Sequence, residues 1–205
     1  MALILSAVML ASCVTTILIA ASKDWSNPEL GSLSQYYETG TNADPGRIST
    51  VKEDSGGTSY GIYMFVEKTV KSFMDWLCQQ PSGTTYRAIG DKLYNAYAYN
   101  TSGQYYPGFG SNFKNIWQEI GRNNRTEFAQ AQKDFWESTQ YTQLIANVKS
   151  LFPGFDMSNY SIALQNVFWS RSVHHGVGVT SGAVKSSDGK SGATGVIYRA
   201  FNSLG

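Results

Sequence analysis

The sequence predicts a mainly helical α+β domain with a small β or loop lobe near its start, preceded by a hydrophobic amino-terminal segment. Three observations predict it. Beyond residue 66, apolar side chains recur at intervals of three and four through most of the chain, the spacing that gives a helix one buried face. Residues 40–58 are instead crowded with Gly, Thr, Asn, Asp and Ser around Pro45, a composition of loop or short hairpin. Residues 1–22, MALILSAVMLASCVTTILIAAS, carry no charged side chain. The chain therefore divides into a hydrophobic segment, 1–22, and one domain, 23–205.

The segment 1–22 has about the length of a bilayer-spanning helix. Three readings fit it. A secretory signal is one: Leu10-Ala11-Ser12-Cys13 resembles a lipoprotein cleavage box, although no Lys or Arg precedes the apolar run. A retained membrane anchor is the second, with Lys23 the first basic side chain. A helix docked on partner proteins, as in a phage tail or secretion apparatus, is the third. The anchor and docking readings rank ahead of a removed signal.

Asp24–Leu30, with Pro28, is a linker or cap, and Leu33–Glu38 a brief helix stopped by Gly40. Tyr60–Phe65 fits either a strand or the start of a helix. Val66–Gln80 places Val66, Val70, Phe73, Met74, Leu77 and Cys78 on one helical face, and Pro81 and Gly83 end it. Tyr86–Tyr99 is a weaker helix, and Asn100–Gly110 a Gly, Pro and Tyr loop. Phe113–Ile120, Arg125–Trp136 and Tyr141–Leu151 are amphipathic helices. Ser158–His174 is an apolar helix central to the core. Thr180–Thr194 is a loop rich in Ser, Gly and Lys, and Val196–Leu204 a last helix. No repeat period is evident.

Composition narrows the function classes. Hydrophobic residues make up 42% of the 205 residues and charged ones 15%, so the chain folds rather than staying disordered. Net charge is +1 with no basic stripe, which argues against nucleic-acid binding. Cys13 and Cys78 form neither a zinc spacing nor a disulfide framework, and His174 with His175 are too few for a metal site. No cofactor is implied. Aromatics reach 14%, which suits stacking on sugar rings but equally suits a core of large side chains.

The stretch Leu33–Tyr63, LSQYYETGTNADPGRISTVKEDSGGTSYGIY, carries the chemistry. Glu38 follows two tyrosines, an aromatic and dry setting. Asp54 precedes Ser55-Gly56-Gly57, where turn amides can solvate a carboxylate. Glycoside hydrolysis needs one carboxylic acid that stays protonated and a partner that stays ionised. Holding a glutamate protonated near neutrality takes roughly 3 kcal/mol, at about 1.36 kcal/mol per pKa unit. Glu38 ends a helix, where the macrodipole disfavours its charge. Glu53 competes with Asp54, and on a strand only one of the two faces Glu38.

These residues resemble the muramidase-like domain fused to some type VI secretion spike proteins and found in phage virion lysozymes, with the fold of the family 46 chitosanases. Phe113-Lys114-Asn115-Ile116-Trp117, Phe128 with Gln132, Ala163–Ser170 and Val173-His174-His175-Gly176 follow in the family's order, so the likeness covers roughly residues 31–178. The resemblance implies a two-lobed, lysozyme-like hydrolase of bacterial cell-wall glycan, virion-associated or exported to periplasm or cell wall. It implies Glu38 as general acid, Asp54 as the base that activates water, and inversion at the anomeric carbon. Thr58 and Ser59 are candidates to position that water. Gly61 would let the backbone approach the sugar, and Tyr60 and Tyr63 would line the cleft or pack. Met64 stands where relatives usually carry glutamine. Expected partners are peptidoglycan strands, with phage-tail or secretion proteins or a membrane at residues 1–22. The open choice between peptidoglycan and chitosan stays open here.

Three rivals compete: a lytic transglycosylase using Glu38 alone, a cysteine peptidase built on Cys78 with His174 or His175, and a structural tail or secretion component on the same fold. His174 and His175 read by default as a structural pair at a helix end. Arg171 is placed to pair with a catalytic-side carboxylate or with Asp156.

Overall fold

Large aromatic rings, more than aliphatic side chains, fill the centre of this protein, and the elements are placed by the faces that carry them. The computed structural model describes residues 29–40, 43–50, 57–97, 109–178 and 189–203. The order is α1 (Ser32–Thr39), β1 (Ile48–Thr50), β2 (Thr58–Tyr60), β3 (Phe65–Val66), α2 (Glu67–Cys78), α3 (Thr85–Ala96), α4 (Gly110–Asn123), α5 (Arg125–Trp136), a π-helical turn (Glu137–Tyr141), α6 (Thr142–Leu151), a 3-10 turn (Met157–Asn159), α7 (Ile162–His175) and α8 (Gly192–Asn202). This is the expected mainly helical fold with a small sheet near its start. The segment 1–22 lies outside the described residues.

α2 buries Val70, Phe73, Met74 and Leu77 of the face that the three-and-four spacing marked, while Val66, its N-cap, is exposed and Cys78 half-buried. Phe73 touches Phe135 of α5 (ring centroids 5.3 Å), Phe65 of β3 (5.5 Å) and Trp117 of α4 (6.1 Å), and Trp117 meets Phe128 at 4.8 Å. Fully burying one such side chain contributes about 1.5–3 kcal/mol, against less than 1 kcal/mol of helix propensity per ordinary residue. Packing therefore decides where these helices sit. α3 comes close to α2 because Gly90 has no side chain: a Cβ there would lie 2.8 Å from the Leu77 Cβ.

Asn124 joins α4 to α5 alone, its N–H donating to the Ile120 carbonyl and its carbonyl accepting from Phe128, both at 2.8 Å. α5 does not stop where the sequence separates two helices. It runs through the π turn into α6. Ser138, Thr139 and Thr142 donate their hydroxyls to the carbonyls of Asp134, Phe135 and Glu137 (2.7, 2.6 and 2.8 Å), occupying groups that the widened turn loosens.

The sheet is antiparallel in the order β1-β2-β3, with Ile48 opposite Tyr60 and Tyr60 opposite Phe65. Residues 40–58 thus hold β1 and the start of β2, the hairpin alternative of the sequence reading. Tyr60–Phe65 is neither one strand nor a helix start. It turns at residues 61–64 and returns as β3.

α7 starts at Ile162, not Ser158. Before it, Asp156 accepts from the Ser158 amide and hydroxyl (3.0 and 2.8 Å) and caps the 3-10 turn. α8 starts at Gly192, within the stretch expected to be loop. Ala193 and Thr194 are fully buried there, and burial outweighs the poor helix propensity of glycine. The Ala193 and Thr194 amides donate to the Gly176 and Val177 carbonyls (2.9 and 3.0 Å), the Thr194 hydroxyl adds a 2.7 Å bond to Val177, and Asn147 of α6 donates to that hydroxyl. This clasp ties the segment after α7 to the start of α8.

Candidate active site

α1 has eight residues, too short to be stable alone, and its neighbour α7 holds it. Its N-cap is Gly31, at φ 84°, with no side chain to cap with. Asn166 of α7 supplies the cap from across the interface. Its Oδ1 accepts from the Gly31 amide (2.9 Å) and the Leu33 amide (3.4 Å), while Nδ2 donates to the Glu29 and Ile162 carbonyls. Only glycine fits at 31, because a Cβ would meet the Tyr63 hydroxyl at 2.7 Å and the Trp169 ring at 2.9 Å. With the start of α1 at Asn166 and its end at His174, the two helices run parallel and their carboxyl ends coincide.

Glu38 sits at that shared end. Its Oε1 lies 3.6 Å from the His174 Nδ1, an electrostatic contact too long for a hydrogen bond. The Glu38 side chain is 19% exposed and that of His174 49%. Burial pushes the Glu38 carboxyl above its ordinary value, against the opposing pull of the His174 and Arg47 charges. Two helix carboxyl ends act in the same sense as burial. The neighbouring His175 is held below the usual imidazole value by burial, Arg171 and His174. Arg171 lies 3.4 Å from His175. No Arg171 ion pair occurs among the described residues, so neither partner expected for it from the sequence is found there.

Arg47 reaches the site because the loop before β1 is pinned. The Pro45 carbonyl accepts from Trp117 Nε1 (2.9 Å) and from Gln132 Nε2 (3.0 Å). The Asp44 carboxylate accepts from the Gly46 amide (2.9 Å), and the Arg47 carbonyl accepts from Gly61 (2.8 Å). Gly46 lies directly on Gly121 of α4, so close that a Cβ on Gly121 would come within 2.6 Å of the Gly46 nitrogen.

The other sequence-derived candidates fall in different places. Asp54, with Glu53 and Gly56, lies outside the described residues. Thr58 is buried and Ser59 half-buried on β2, so by strand alternation Ser59 faces away from the core that Thr58 and Tyr60 enter. Tyr60 and Tyr63 are 0% and 2% exposed and pack in the core, the second of the two alternatives left open for them by the sequence. Tyr60 packs on Trp117 (5.1 Å) and Tyr63 on Trp169 (5.5 Å). Gly61 turns the chain at φ 74°. The Gln132 amide fills the space where its Cβ would be, and Gln132 Oε1 accepts from the next amide, Ile62, at 2.8 Å. That glycine makes room for Gln132. Met64 closes the same turn at φ 51°.

Sequence reasoning assigned no role to Gln132 or Asn166, and left His174 as a structural residue. The signal was present only as polar residues inside apolar helices. An open depression of about 720 Å³ between α2 and α3, walled by Asp75, Cys78, Gln79, Asp91, Tyr94 and Asn95, carries none of the residues around Glu38. Burial and the Asp91 charge push the Cys78 thiol up, which suppresses the thiolate a cysteine peptidase needs. Among the described residues no group of His, Cys, Asp and Glu is placed to hold a metal, and no helix is long and apolar enough to cross a membrane.

Fold and site together define a mainly helical domain with a small sheet and one half-buried glutamate at converging helix ends. The chain belongs to the family described as type VI secretion system spike protein VgrG3-like, C-terminal, which matches residues 30–203. The secretion-spike part of the sequence resemblance is thereby established. No curated protein matches the chain.

Proposed function

We propose that this domain hydrolyses the β-1,4 glycosidic bonds of peptidoglycan in a type VI secretion context, with Glu38 as general acid and Asp54 as the base that activates water. The observation that carries the reading is the state of Glu38, half-buried 3.6 Å from His174: its carboxyl is raised by burial although His174 and Arg47 oppose the shift. A general acid has two needs. It must hold its proton in the ground state, and it must tolerate a negative charge once the proton has passed to the leaving oxygen. Burial meets the first need. His174 at 3.6 Å, with Arg47, meets the second. Asp54 comes from the residues between β1 and β2, and in this reading the Ser59 hydroxyl on β2 helps to orient the attacking water. The reaction inverts if the two carboxyl groups leave room for that water, about 6.5–9.5 Å apart.

The family membership supports delivery by, or attachment to, secretion-apparatus proteins, with the periplasm and cell wall as the place of action. Residues 1–22 serve as a docking or anchoring segment. The test is mass spectrometry of sugar products from purified cell wall treated with wild type, Glu38→Gln and Asp54→Asn. Hydrolytic reducing ends from wild type and at least a hundredfold loss in each variant are expected. Anhydro-sugar products with an active Asp54→Asn protein would instead establish a lytic transglycosylase. A wild type that releases nothing at any pH would leave a structural spike component.

A further inference from the structure

A second feature surrounds Arg47, whose charge also acts on Glu38. Asp44, Gly46, Arg47, Ile48, Gln118 and Arg122 wall a depression of about 400 Å³ between the pinned loop and α4. We propose that Arg47, Arg122 and Gln118 form a carboxylate-binding subsite that takes the acidic groups of peptide stems on cell-wall glycan. The proposal rests on the glycan-hydrolase reading and adds a recognition element to it.

Charge favours an anion there. Among the described residues neither Arg47 nor Arg122 has an ion-pair partner. Asp44 shares the depression, but its carboxylate is engaged by the Gly46 amide at 2.9 Å and lies 3.5 Å from Arg125. Gln118 and Arg122 stand four residues apart and share one face of α4. A guanidinium presents paired donors matched to a carboxylate, and the Gln118 amide adds a donor and an acceptor. The floor is rigid, because Gly46 rests on Gly121 and the Pro45 carbonyl is held twice. The charge of Arg47 also acts on Glu38. A polyamine glycan such as chitosan would be repelled, and an acidic, peptide-bearing strand attracted.

Calorimetric titration of the full chain with a disaccharide-tetrapeptide, and with the same molecule after amidation of its carboxyl groups, tests this. The wild type is expected to bind the carboxylate form about tenfold more tightly, or better. Arg122→Gln should erase most of that preference and Arg122→Lys keep part of it. Arg122 is exposed on the last turn of α4, so the fold should survive both changes, which a thermal melt checks. Equal binding of the two forms, a preference that persists in Arg122→Gln, or no binding of either at millimolar concentration would overturn the proposal. Cleavage of peptide-free glycan strands is scored separately. Strands cleaved without a carboxylate preference remove the subsite and leave the hydrolase. A preference without cleavage does the reverse.

Discussion

Replacing Asn166 with leucine removes the cap that α7 provides for α1 while keeping the branched side-chain skeleton. The Gly31 amide is buried and loses its 2.9 Å acceptor, and an unsatisfied buried N–H costs about 1–3 kcal/mol. The Leu33 amide loses its cap, worth about 1 kcal/mol. Of the two carbonyls released, that of Glu29 belongs to an exposed residue and rehydrates, and that of Ile162 keeps its place in the ladder of α7. The sum is a loss of about 2–4 kcal/mol. Urea unfolding of the full chain measures it, and hydrogen exchange at Gly31 and Leu33 localises it. A second consequence follows at the far end of the helix. As α1 loosens, Glu38 moves toward solvent and its carboxyl titrates nearer the ordinary value. A stability loss under about 0.5 kcal/mol, the range of neutral surface changes, with unaltered exchange would refute the capping account.

Two further outcomes are expected. His174→Ala removes a charge 3.6 Å from Glu38, an interaction of about 1 kcal/mol in water-like surroundings, so the Glu38 carboxyl should titrate higher still in a ¹³C NMR titration. The sign for stability follows. A carboxyl raised in the folded state contributes fully below its unfolded value of 4.5 and loses that contribution as pH climbs through the folded value, so the variant should extend this loss to higher pH. Gly121→Ala forces a methyl group onto Gly46 and should cost about 1–3 kcal/mol, with the Trp117 indole N–H resonance shifting as its bond to Pro45 strains.

The helices were legible because their buried faces repeat locally. Val70, Phe73, Met74 and Leu77 mark α2 in the sequence as clearly as in the structure. Tyr60 and Tyr63 were not, because a tyrosine in a glycine-rich segment looks the same whether its ring meets a ligand or Trp117 and Trp169. The π turn was hidden for another reason. Its Ser and Thr residues read as a helix break, yet their hydroxyls accommodate the continuation. Glu38 was legible as a candidate, but its surroundings were not. The His174 contact exists only because two parallel helices end together, and Asn166, which aligns them, acts over 135 positions of sequence, as Gln132 acts over 70 to hold Ile62.

The clasp between Gly176-Val177 and Ala193-Thr194 also makes this domain a convenient host. Its backbone bonds fix where the chain departs and where it comes back, so cargo spliced between residues 178 and 189 would be borne by two anchored stems. Lengthening such a connection costs only about 0.6 kcal/mol per doubling. A fluorescent reporter or a purification handle inserted there would be carried just beyond the carboxyl end of α7.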